Sequence, residues 1–140
     1  MIYGLLTFVA GRIFFSACQS GEELDKARYY INGKTLYETH CRNCHGHQGE
    51  GLGRLYPPLT DTVFMLAHQS QLACLIRYGS PGKLTVGGIK YDAEMPPNPG
   101  LSDREIAYLI TYIGNSFGNN IGIKRDTSVR ADLMPCHGNQ

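Results

Sequence analysis

Tryptophan is absent from the 140 residues, lysine occurs five times without clustering, and no internal repeat or low-complexity linker interrupts the chain. Lys and Arg number 13 against 12 Asp and Glu, a formal net charge of +1. With no basic stripe to track a phosphate backbone, nucleic acid is not an expected partner. The apolar N-terminal run from Ile2 to Ala17 carries Arg12 near its middle and is shorter than the roughly 20 residues of a comfortable membrane span. The length allows one domain with one core, and so one functional site. What the chain has in quantity is glycine, 17 residues, together with seven prolines. A loop-rich domain of a few short elements is expected, with something besides side-chain packing helping to fill its core.

The N-terminal stretch "MIYGLLTFVAGRIFFSACQSG" turns abruptly polar after Cys18, which reads as an export signal over residues 1–17. Its end, "FSAC", resembles a bacterial lipobox, and the resemblance implies lipidation of Cys18, with residues 18–28 as a tether. Phe15 stands where leucine is usual, and no Lys or Arg precedes the run, so a plain signal peptide or an uncleaved anchor stays open. The other cysteines are Cys41, Cys44, Cys74 and Cys136. If Cys18 carries lipid and Cys41 and Cys44 act as a pair, Cys74 and Cys136 remain in a compartment that favours disulfides. A bridge between them is the expectation; two buried free thiols are the alternative.

Apolar periodicity sets out the elements. "GEELDKARYYINGKTLYETHCRNCHG" carries Tyr30, Leu36, Tyr37 and His40 at helical spacing, predicting a helix that ends at Gly46 with both cysteines on its last turn. The stretch 46–61 is glycine- and proline-rich and reads as an ordered loop. "TVFMLAHQSQLACLIRYG" predicts one helix or two short ones, stopping at Gly79. Leu84–Val86 and Ile89–Tyr91 predict a hairpin around Gly87-Gly88. In "LSDREIAYLITYIG", Ser102 and Glu105 form a capping box, and Ile106, Leu109, Ile110 and Ile113 an apolar face. Gly114 or Gly118 ends that helix. Residues 119–140 form a polar tail with little to hold it unless Cys136 is tethered.

The motif that carries chemistry is "CRNCH", C-x-x-C-H, the attachment signature of c-type haem. The spacing lets two sulfurs form thioethers on one porphyrin edge, while the adjacent histidine faces the iron. Those roles fall to Cys41, Cys44 and His45. Zinc binding would want four ligands, and no second C-x-x-C is present. Thiol-redox pairs of thioredoxin type open a helix, whereas this pair closes one. A chance match is the remaining reading. A sixth iron ligand is offered by Met95 in "EMPPNPG", where the prolines stiffen the segment at little ordering cost. Met65 reads as core filler, and Met134 has the next-best context but lies in the tail. His137, in "PCHG", lacks a first cysteine because Leu133 stands there. His40, just before Cys41 in the helix, is expected to face solvent or pack at the haem edge, and His47 and His68 have no evident partners.

From Asn32 to Gly118 the chain resembles a class I monohaem cytochrome c, which implies an all-α cytochrome c fold with a small β-hairpin. In that family a glycine and an aromatic residue on the first helix cross a Leu-x-x-Tyr on the last; here these are Gly33 and Tyr37 against Leu109 and Tyr112. The resemblance implies that the Pro57 carbonyl, with Pro58 as the alternative register, accepts a hydrogen bond from His45. It implies that Arg54 and Tyr56 reach a haem propionate, for which a solvated loop face is the plain alternative. "GIKYDAEMPP" and the last helix are similar to small bacterial cytochromes c that serve terminal oxidases, nitrite reduction and quinoprotein dehydrogenases. The implied function is a periplasmic electron carrier rather than an enzyme. It would carry one covalent haem c with His45 and Met95 as axial ligands, and would be lipid-anchored, or soluble if the signal is not a lipobox. A peroxidase or ligand-binding protein with an open iron position, and a haem-free zinc or thiol-redox lipoprotein, are the alternatives.

Overall fold

The first helix, α1, spans Gly21–His40, with Glu22 and Glu23 in its first turn, where the helix dipole favours negative charge. Its buried residues are Tyr29, Gly33 and Tyr37, spaced four apart so that they form a single stripe. The computed structural model describes residues 21–138, and the expected signal segment and Cys18 lie outside the described residues.

The helix does not run unbroken to Gly46. It yields to a turn at Cys41, and a four-residue helix, α2, Arg42–His45, follows. The Cys44 and His45 amides both donate to the Cys41 carbonyl, at 3.2 and 3.0 Å, so the ladder tightens locally to three-residue spacing. The two cysteines therefore straddle a tightened turn instead of sharing the last turn of one helix. Gly46 ends α2 with φ 83.

Two short helices follow the loop. Asp61 accepts from the Phe64 amide at 2.9 Å and caps α3, Thr62–Ala67; α4, Leu72–Tyr78, stops at Gly79. Strands β1, Leu84–Val86, and β2, Ile89–Tyr91, pair antiparallel with Leu84 opposite Tyr91. Gly87 and Gly88 both have positive φ, as a tight two-residue hairpin turn requires. Helix α5, Asp103–Ile113, starts with the expected capping box and ends at Gly114.

Helices α1 and α5 cross at the centre of the core. The Gly33 backbone lies against the Tyr108 carbonyl, and the Tyr37 and Tyr112 rings pack 5.3 Å apart between centroids. Leu109 is buried and faces a central cleft.

The tail, expected to have little to hold it unless Cys136 is tethered, is anchored and folded. It forms α6, Asp126–Leu133, and a 3-10 turn, Met134–Gly138. Val129 and Leu133 are buried in the same core. The approach to α6 is clasped by α5 side chains. Asn115 exchanges hydrogen bonds with Gly122, and the buried Thr111 hydroxyl accepts from the Lys124 amide at 3.0 Å. Arg125 pairs with Asp25 on α1, and Cys74 and Cys136 are joined by a disulfide with a Cα–Cα distance of 5.9 Å. Among the described residues no helix is long and apolar enough to cross a membrane.

Candidate functional site

The end of α2, the 46–59 loop, α3, α4, the hairpin and α5 enclose one cleft of about 990 Å³ of non-atom space, its open mouth included. Its walls are almost wholly apolar, built by Leu59, Phe64, Leu72, Ile76, Leu109 and Ile113 among others. Paired across the hairpin, Leu84 and Tyr91 close one side.

His45 is the most closely specified polar group. Its ring Nδ1 lies 3.0 Å from the Pro57 carbonyl oxygen. A carbonyl can only accept, so Nδ1 carries the proton and Nε2 keeps the lone pair. Burial lowers the imidazole pKa, while the Pro57 bond acts in the opposite direction. The net result is a neutral ring, the form that binds a metal. The loop that delivers Pro57 is folded tightly back. The Gly51 amide donates to the His45 carbonyl at 2.8 Å and the Leu59 amide to the Gly49 carbonyl at 2.7 Å. Gly51 has φ +70, and a Cβ there would lie 2.5 Å from the Tyr56 carbonyl oxygen.

Cys41 and Cys44 are free thiols at the same cleft. Burial, and secondarily the neighbouring Cys44, push the Cys41 thiol up to about 12, so it stays protonated. Met95 also lines the cleft, as do Tyr56 and Pro58. Arg54 is exposed and is not among the lining residues. Sequence reasoning missed Ser80 and Glu94 at the cleft, and it treated Met65 as filler only. Met65 is 1 % exposed and its side chain lines the same cleft, so two thioethers border it. His47 approaches Glu38 at 4.0 Å, and His68 stacks on Phe64; neither borders the cleft.

An apolar cleft with two free thiols, one oriented neutral imidazole and a thioether suits a flat, largely apolar, covalently held iron macrocycle. It does not suit a bare metal ion. Among the described residues no three His, Cys, Asp or Glu side chains gather to hold one.

Comparison with known proteins agrees with this chemistry. Residues 30–113 match the family described as cytochrome C oxidase, cbb3-type, subunit III. The chain is similar to cytochrome c-552 of Thermus thermophilus, 31% identical over 97 residues, covering 66% of this chain and 73% of that protein. It is similar to cytochrome c-554(547) of Halothiobacillus neapolitanus, 33% identical over 89 residues, 58% of this chain and 89% of that protein. The cytochrome c subunit of a quinone alcohol dehydrogenase of Gluconobacter oxydans is 27% identical over 97 residues, 63% of this chain and 19% of that protein.

Proposed function

Because the chain belongs to the c-type cytochromes, electron carriers that hold haem c covalently, we propose that its single haem is attached through Cys41 and Cys44, with His45 and Met95 as axial ligands. The observation that carries this reading is that both thiols, the Pro57-oriented imidazole and the Met95 thioether border one apolar cleft. Bound haem c supplies a one-electron ferric/ferrous couple.

The chain's own residues do the rest. Pro57 fixes the His45 tautomer and so presents Nε2. The Met95 sulfur is a soft, neutral donor that favours the ferrous state and raises the potential. Leu59, Leu72, Ile76 and Leu109 exclude water, which disfavours the more highly charged oxidised state. Tyr56, at the cleft wall, is read as a donor to a propionate; exposed Arg54 would have to swing in from the loop surface.

The protein is read as exported and tethered on the periplasmic side of a bacterial membrane by lipid on Cys18. Stable attachment needs more than one acyl chain. Its partners are read as membrane redox complexes. A quinone-linked dehydrogenase is supported by the Gluconobacter relative and a terminal oxidase by the family description, with nitrite reductase the third class. The attachment is tested by denaturing mass spectrometry of chain made with haem c maturation machinery. The expected mass includes one haem, which the double variant Cys41→Ser/Cys44→Ser loses. Two thiols free to alkylate in the wild-type chain would refute it.

A further inference from the structure

Met95 stands outside any helix or strand, and what holds its segment comes from one short helix and the two residues that follow it. Its amide and carbonyl exchange two 2.9 Å hydrogen bonds with Ser80. Three residues on, Asn98 donates to the Ile76 carbonyl from its amide at 3.1 Å and from Nδ2 at 3.3 Å. Arg77 Nη1 donates to the Pro99 carbonyl at 3.2 Å. Gly79, at φ +73, leaves room where a Cβ would strike the Met95 carbonyl and lie 2.9 Å from Pro97 N. Ile76 and Arg77 are in α4; Gly79 and Ser80 follow it directly.

Helix α4 has seven residues and no side-chain cap at Gln71, far too little to be stable alone. Its hold on the molecule is tertiary. Leu72, Ala73 and Ile76 pack into the core, and Cys74 is bridged to Cys136, 62 residues away beyond α6. Leu75 borders both the haem cleft and a second, open groove, whose wall contains the disulfide with Gln71, Pro81 and Asp132. The half-buried bridge thus borders an open groove while lying one helix away from the Met95 segment.

We infer that the Cys74–Cys136 disulfide is a positioning element for Met95, a redox-sensitive latch that acts through α4 and the Ser80–Met95 hydrogen-bond pair. This rests on Met95 being an axial ligand. A dithiol opens the latch by exchange. It gives up two electrons and two protons and becomes a disulfide, while the Cys74–Cys136 S–S bond breaks and each sulfur becomes a thiol. With α4 untied from α6, Ser80 loosens, and Met95 spends less time in its ligating position.

The test uses the haem-loaded full chain, reduced with ascorbate so that disulfides survive, and follows carbon monoxide binding, which must displace the sixth ligand. In Cys74→Ser/Cys136→Ser the rate is expected to rise at least tenfold. The thioether-to-iron band of the oxidised form should weaken while the haem stays attached. An unchanged rate and band in a folded variant would overturn the inference. Should that variant not fold, amide exchange of the wild-type chain with and without dithiothreitol decides. Ser80, Met95 and Asn98 should exchange at least tenfold faster while Ile110 and Ile113 do not. Equal change in both sets, or none, would overturn it. If the bridged wild-type protein lacks the band and binds carbon monoxide at once, Met95 ligation fails first and takes the latch with it. A band present but indifferent to the bridge sinks the latch alone.

Discussion

At Gly33 a hydrogen stands where a methyl group would strike the Tyr108 carbonyl and lie 2.7 Å from Tyr112 Cβ. Backbone cannot rotate away as a side chain can, so α1 and α5 must part to admit it. Gly33→Ala is expected to destabilise the holoprotein by about 1–3 kcal/mol. Chemical denaturation followed by the haem spectrum checks this. The crossing is legible in the sequence through the resemblance to class I cytochromes c, in which a glycine and an aromatic residue four on pack against a Leu-x-x-Tyr. That Cys41, Cys44, His45 and Met95 border one cleft is legible because the motif and the proline-stiffened segment each constrain backbone as well as side chain, while Pro57 follows from the family resemblance. Other residues carry no such mark. Met65 looks like any buried methionine from its local sequence, and Arg54, read as a propionate contact or a solvated loop residue, is exposed and off the cleft wall.

Elements written by local chemistry are read correctly from sequence, and those held by distant partners are not. The hairpin has two glycines in its turn, and α5 has Ser102 and Glu105 at its start. The Ser102 amide and hydroxyl both donate to Glu105 at 2.7 Å and hold that carboxyl below its usual value of about 4.3. A carboxyl depressed by folding contributes stability above its unfolded pKa and loses it as pH falls through the lower folded value. Glu105→Ala should therefore lower the thermal midpoint at pH ~6, by an amount equivalent to about 0.5 kcal/mol for a solvent-screened cap. The gap from wild type should close below pH ~4; a gap independent of pH would contradict the capping role. By contrast, α6 has only Val129 and Leu133 buried and no side-chain cap at Arg125. Its stability comes from Asp25, Thr111, Asn115 and Cys74, all remote in sequence. The break between α1 and α2 is equally silent, since neither glycine nor proline marks Cys41.

At the scale of the whole molecule, the described residues form a cage around one apolar cleft, whose walls suit the haem c of the family. Tail, α4 and the Met95 segment form one mechanical series. The disulfide, closing a loop of 62 residues, is of the size that stabilises by about 4 kcal/mol in the chain-entropy description. The central claim is that His45 and Met95 ligate one covalent haem c in an electron carrier. It is tested most directly by the oxidised absorption spectrum of the haem-loaded chain beside its Met95→Leu and Met65→Leu variants. The thioether-to-iron band should be present in the wild-type protein, persist in Met65→Leu and vanish in Met95→Leu, with the haem still attached in all three. A band that survives in Met95→Leu, or is missing from the wild-type protein, would contradict the account.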